Sequence, residues 1–574
     1  MVIRFATKTV LAGLMVVTAA CRDEGAAAGD DDGAGTSGGA LYCGGSGGSD
    51  GAGCTGDGEQ PPTDMPLSDA EVLTRASLDL RGVRPTVDEL AALAADPESL
   101  DDMIATFTDD PAFGGRVRDL FAGAWRTRVD EYPPPGGDYG EDAPTSASNA
   151  AIAEEVLNLV AVVVMNDRPF SEILTSGETV VDPLLVGPWP LEAIEDDGRW
   201  LPPGTTRARY TDGRPAAGVL SLNAVYWRHT STVDNANRGR TNALSQALLC
   251  QSYLDRPIDF PTDLDLTDSE SIKDAIHSNG ACQACHSTLD PFASFLWGFM
   301  APNQTPVPNY NPAGERDWQI YTDTAPGFFG VPGDRLEDLA RMIAQDERFI
   351  SCTVRRVYEE LLGRDALLED EGALAEHREA FLASELSLKA LVRSIVADPS
   401  YRGRSWEPRF GGAPEPVRRK VAPVEVLGTS LEALTGYAVR YDGREALALD
   451  AALRRLAGGS DRGNAQSIST GAVLVQRRLA EAGAIALVES VAAGEPNDGR
   501  LAPVLAAADL GAEPSAATIV ALIEHARSVS FDESAPEVGA LITLWQEVAS
   551  ISSAREGWIA VVTAVLADPD HLLY

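Results

Sequence analysis

The sequence predicts a mainly α, multi-domain protein that ends in a helical bundle, and three observations carry that reading. Apolar positions recur at helical spacing between capping signals, as in the run from Ser68-Asp69 through Leu78 and Leu80 to Gly82. The stretch from Ala150 to Met165 is helical, with a strongly apolar face. Beyond residue 420, Ala- and Leu-rich stretches such as 446–456 and 473–493 alternate with Gly and Pro turns.

The first element is an export signal. Arg4 and Lys8 flank a short apolar run from Val10 to Val17, and small residues follow up to Ala19-Ala20-Cys21. That pattern makes a signal peptide over 1–20, too short to span a bilayer. The Cys straight after the small residues resembles a bacterial lipobox, which makes Cys21 the candidate for lipidation. No later segment reads as a membrane span, so the chain is expected to be anchored rather than spanning. Residues 21–66 are Gly, Ala, Asp and Ser with almost no large apolar side chains. They cannot bury enough surface to offset chain entropy and are expected to form a tether.

The remaining roughly 500 residues suffice for several cores. Helical signals define an N-terminal domain over 67–215. There Ser68 or Asp69 caps a first helix, Thr86 opens a second, and a third runs to Asp110-Pro111. Thr175 to Trp189, richer in Val, Gly and Pro, reads as loops with one short hairpin. A second domain covers 216–402, a Gly/Pro/Arg-rich linker covers 403–420, and the C-terminal helical domain covers 421–574. The phrases Asp110-Pro111, Asp398-Pro399 and Asp568-Pro569 recur near helix ends. Since Pro disfavours helix in the residue before it, they read as stop signals or as traces of a duplicated unit. Arg75/Gly82 and Arg356/Gly363 share one spacing.

Within the second domain lies Cys282-Gln283-Ala284-Cys285-His286. C-x-x-C-H is the attachment signal for c-type haem. The two thiols add across the porphyrin vinyl groups, and the next-residue imidazole reaches the iron. Its rivals lack their contexts: a thioredoxin-like pair needs a βαβ unit, and a zinc site needs a second ligand pair. One covalent haem c on Cys282 and Cys285 is therefore expected, with His286 as proximal ligand. The helix from Ser271 to Ile276 leads to it through Asn279-Gly280, read as a left-handed cap. The sixth ligand has few candidates. Met300 follows the motif, Met342 begins a later helix, His277 lies close before it, and His229 is upstream in Tyr226-Trp227-Arg228-His229. His377, His525 and His571 read as ordinary helical-surface residues. Met ligation gives a higher potential than His ligation.

Seven Cys, less Cys21 and the haem pair, leave Cys43, Cys54, Cys250 and Cys352. Export permits disulfides. Cys43–Cys54 with Cys250–Cys352 is the simplest of three possible pairings. The formal net charge of -40, from 86 acidic and 46 basic residues, repels nucleic acid and anionic headgroups.

Several stretches together resemble the planctomycete-type cytochrome c family, exported multi-domain proteins of planctomycetes and myxobacteria built around one CxxCH. They are Leu73 to Thr86 with its R-x-x-L-D-L-x-G-x-x-P-T-like phrase, Asn166 to Phe170, and His229 with Arg238-Gly239. Leu249-Cys250-Gln251, Leu289-Asp290-Pro291-Phe292 and Phe349-Ile350-Ser351-Cys352 complete the likeness. The usual Thr-Ser-Pro between His229 and Arg238 is replaced by Val233-Asp234-Asn235, and Ala293 stands where the family has Gly. The resemblance implies that Cys250 and Cys352 are both family positions, which supports pairing them. It also raises His229 above Met300 as distal ligand. It does not supply a substrate, so whether the chain is an enzyme stays open.

The leading expectation is a monohaem c-type cytochrome lipoprotein that transfers electrons. It would be exported and lipid-anchored in the cell envelope, with the outer membrane the expected site, and would need a redox partner protein. One alternative is a haem enzyme or sensor with an open distal site. Another is a surface scaffold or polymer-binding protein with an accessory haem, prompted by a C-terminal domain that carries no visible chemistry.

Overall fold

The computed structural model describes residues 66–128, 132, 145–255, 268–300, 310–403, 405–407, 415–417, 420–441, 444–445, 451–459 and 467–574. The signal segment, Cys21, Cys43, Cys54 and nearly all of the tether lie outside the described residues. The chain is mainly helical, 63% helix against 5% strand, so helix packing rather than a sheet builds its interior.

Two hydrophobic cores form, one from Val72 to Tyr401 and one from Val424 to Leu572. At the centre of the first lies the helix Thr145–Met165, which packs against Pro111–Trp125 and against the strand Thr179–Val181. Its segment Ala147–Met165 is long and apolar enough to cross a membrane, contrary to the expectation that nothing beyond the signal would be. It is wholly buried in protein instead. Aromatic contacts knit distant parts of this core: Phe170 lies 5.2 Å from Phe121 and stacks on Phe349 at 5.9 Å.

The helix starts follow the capping chemistry. Ser68 and Thr86 each accept from the backbone N–H three residues on, and Glu71 and Glu89 return the bond. Gly82 and Gly363, the two echoed glycines, end their helices with φ of 74° and 69°. The Asp-Pro phrases differ from expectation. Asp110, Asp398 and Asp568 are N-caps whose carboxylates accept from the backbone two residues on, with Pro at the first helical position. The phrase therefore starts a helix as much as it stops one, because Pro has no N–H to leave unsatisfied there.

Two loop readings also change. Residues 179–181, 191–193 and 206–210 form a three-stranded antiparallel sheet with the last strand in the middle, larger than a hairpin. The expected linker contains a ribbon in which Ser405–Glu407 pairs with Glu415–Val417.

The second core is a bundle of Val424–Thr435, Thr470–Ala493, Ala516–Arg527, Pro536–Ile551 and Ala554–Leu566. Polar contacts join the cores. The Ser430 and Ser528 hydroxyls donate to the carbonyls of Gly82 and Pro85 at 2.8 and 2.6 Å. His377, read as a surface residue, is only 3% exposed, with its Nδ1 2.9 Å from the Ser394 hydroxyl.

Candidate functional site

The cysteine motif lies on the helix Gly280–Ala293. Asn279 is not left-handed, as its pairing with Gly280 suggested, but extended at φ -92° and ψ 123°. Its side chain accepts from the N–H groups of Ala281 and Cys282 at 2.9 and 3.4 Å. It is thus the N-cap of the motif helix as well as the end of Ser269–Ser278. Starting a helix here puts Cys282 and Cys285 one turn apart on a common face, with His286 beside them. Both thiols are free and half-buried.

His286 has its Nδ1 2.9 Å from Oδ1 of Asp290, one turn further along the same helix. Arg238 grips the same carboxylate from the start of the helix Arg238–Leu249, Nε to Oδ1 at 2.7 Å and a terminal nitrogen to Oδ2 at 2.8 Å. Burial alone would raise the Asp290 pKa, but the hydrogen bonds from Arg238 and His286 hold it below the usual carboxylate range. An ionised carboxylate only accepts, so Nδ1 of His286 is the donor in this bond.

The loop before Arg238 is aimed by its backbone. Ala236 and Asn237 adopt positive φ of 48° and 64°, and the Asn235 side chain accepts from Gly239 N–H at 3.0 Å. Of Val233-Asp234-Asn235, Asn235 also accepts from the Arg238 N–H through its backbone carbonyl at 3.0 Å.

The two distal candidates occupy separate settings. His229 accepts from Arg240 through its backbone carbonyl at 2.6 Å. Burial, aided by Arg228, Arg126 and Arg240, pushes its pKa down to about 4, so the ring is neutral near pH 7. Met300 is buried against Ala236 and Trp297, with Trp318 packed beside them. Of the other histidines weighed, His277 is exposed at the end of the preceding helix.

Cys250 and Cys352 form a disulfide with Cα atoms 5.2 Å apart. It ties the end of the Arg238–Leu249 helix to the helix Glu347–Leu362, so the bridge spans the motif in sequence. Arg356 reinforces it by donating to the Gln246 carbonyl at 3.0 Å.

One apolar side chain stands exposed close to the motif helix. Leu254 is 71% exposed, and it follows Tyr253, whose hydroxyl donates to Thr288 of the motif helix at 3.3 Å. Tyr321 stacks on Trp297 at 5.2 Å, and its neighbour Ile320 is 76% exposed. Among the described residues, no three His, Cys, Asp or Glu side chains converge on a bare metal-ion site.

The residues present fit a covalent haem: two free thiols on one helix face, an adjacent imidazole whose Nδ1 faces Asp290, and the exposed Leu254 beside Tyr253. Asp290 and Arg238 entered the sequence reading only as family landmarks. The signal that could have assigned them was the spacing of His286 and Asp290, four apart on a helix. Comparison with family models, curated proteins and solved structures finds no match for this chain.

Proposed function

We propose that this chain is an exported monohaem c-type cytochrome that transfers electrons in the cell envelope, anchored through a lipid on Cys21. The observation that carries the reading is the 2.9 Å contact of His286 Nδ1 with Asp290 beside two unpaired thiols, which would leave Nε2 to a metal. Cys282 and Cys285 would hold the haem and His286 would bind its iron. The bound group supplies a one-electron couple.

The chain's own residues supply the rest. Asp290 keeps the proton at Nδ1, so the imidazole presents its lone pair in one orientation. The Cys250–Cys352 bridge limits how far the elements on either side of the motif can separate. Leu254, Ile320 and Tyr321 offer apolar surface that an apolar macrocycle would cover. His229, neutral near pH 7, would be the favoured second protein ligand to that group, with Met300 the alternative. The surplus of acidic side chains favours a basic redox partner over an anionic one.

The test is the pyridine haemochrome spectrum of the full chain exported with a haem-attachment system. A c-type spectrum is expected, and its absence overturns the reading.

A specific observation favours a second reading, a haem enzyme or sensor with an open distal position. Met300 is already packed among Ala236 and Trp297, and His229 lies in a separate setting where Arg240 holds its backbone carbonyl. Electron transfer predicts a six-coordinate low-spin iron that ignores carbon monoxide. A high-spin iron that binds it would favour the open site.

A further inference from the structure

We propose that Asp290, clamped by Arg238, is the positioning residue that sets the basicity of the proximal His286 imidazole and so biases the iron toward its ferric form. This rests on the reading of the motif as a haem-attachment site.

The position of Asp290 is costly for a structural residue. It is only 7% exposed, and it sits in the last turn of its helix, where the negative end of the helix dipole disfavours a carboxylate. Arg238 compensates, but an arginine alone could be satisfied by a carboxylate elsewhere. What requires an anion at 290 is His286, one turn back, whose Nδ1 shares Oδ1 with the Arg238 Nε.

Oδ1 is thereby fixed from two directions, by the motif's own helix and by a separate helix whose entry is set at Ala236 and Asn237, while Arg238 alone holds Oδ2. Because the carboxylate is nearly free of water, its pull on the Nδ1 proton is not diluted. A carboxylate that accepts from a ligating imidazole raises that ligand's basicity, which favours the more highly charged metal. Arg238 moderates the effect, since it draws on the same negative charge. The two residues therefore act in opposite directions on the imidazole.

The experiment is a redox titration of the full-length haem-loaded protein and two near-isosteric variants. Asp290→Asn keeps an acceptor but removes the charge. At fixed poise it should raise the ferrous-to-ferric ratio by about tenfold, about 59 mV for a one-electron couple. Arg238→Gln should move the potential the opposite way. An unchanged potential in Asp290→Asn, or shifts of the same sign in both variants, overturns the inference. Should either variant fail to fold, ring-15N NMR of the wild-type full chain made without haem attachment decides instead. The inference requires Nδ1–H at His286, and an Nε2–H tautomer overturns it. Absence of a haemochrome defeats the cytochrome reading itself, whereas a normal haemochrome with an unmoved potential defeats only the role of Asp290.

Discussion

The Tyr574 hydroxyl donates a 2.6 Å hydrogen bond to the carboxylate of Asp79, 495 positions earlier in the chain. Asp79 is 1% exposed and takes two further bonds on the same group, from Tyr401 at 2.8 Å and from the Lys420 ammonium at 2.7 Å. Backbone bonds between Lys420 and Tyr574 close the arrangement. One carboxylate thus holds the end of the first core, the entry to the bundle and Tyr574 together.

Asp79→Ala should therefore destabilise strongly, by about 3–5 kcal/mol, since it strands a buried ammonium without its counter-ion. Urea unfolding followed by circular dichroism measures this. A loss under about 1 kcal/mol would show that water reaches Lys420 and replaces the carboxylate.

Glu155 predicts a pH dependence. It is fully buried, accepts from Tyr210 at 2.6 Å and Thr179 at 3.2 Å through one oxygen, and leaves the other oxygen without a partner. Burial pushes its pKa up to about 7, against the lowering effect of those bonds. The folded state then holds this proton more tightly than the unfolded chain does. Its contribution is fully present below the ordinary carboxylate value near 4.5 and is lost as pH rises through about 7. Glu155→Gln should remove up to about 1.4 kcal/mol per pH unit of slope across that window. Thermal unfolding at pH 5, 6, 7 and 8 compares the two proteins, and parallel curves would count against the assignment.

The Cys250–Cys352 bridge closes a span of 102 residues. Replacing both by Ser should cost about 2–5 kcal/mol, chiefly because the unfolded chain regains its freedom. The midpoint of denaturant unfolding should fall to that of the reduced wild type. If reduction destabilises the wild type but the double variant matches the oxidised protein, the entropic account fails.

Asn279→Ala removes the cap of the motif helix, and about 1 kcal/mol of local stability should go with it. Hydrogen exchange at Ala281 and Cys282 should quicken, while Asn279→Asp should keep it slow. Unchanged exchange in Asn279→Ala would mean that another group caps the helix.

The helical class, the caps at Ser68 and Thr86 and the end at Gly82 were legible because each depends on a few neighbouring residues. So was the cysteine motif, whose chemistry lies in adjacent positions. The Asp-Pro phrases were half legible: their punctuation showed, but which side of it the helix lay on depended on what followed. The three-stranded sheet was missed because its central strand, 206–210, reaches its partners only through tertiary pairing.

Cys282, Cys285 and His286 are thus properties of the sequence itself. The helical class and the candidate haem follow from local periodicity and spacing alone. The tertiary structure decided what surrounds them. It set Arg238 on Asp290, closed Cys250 on Cys352, buried an otherwise membrane-like helix and gathered Lys420, Tyr401 and Tyr574 on Asp79. The physical reason is range. Capping and motif chemistry act within a turn or two of chain, whereas a buried charge finds its partners only when segments far apart in sequence fold together.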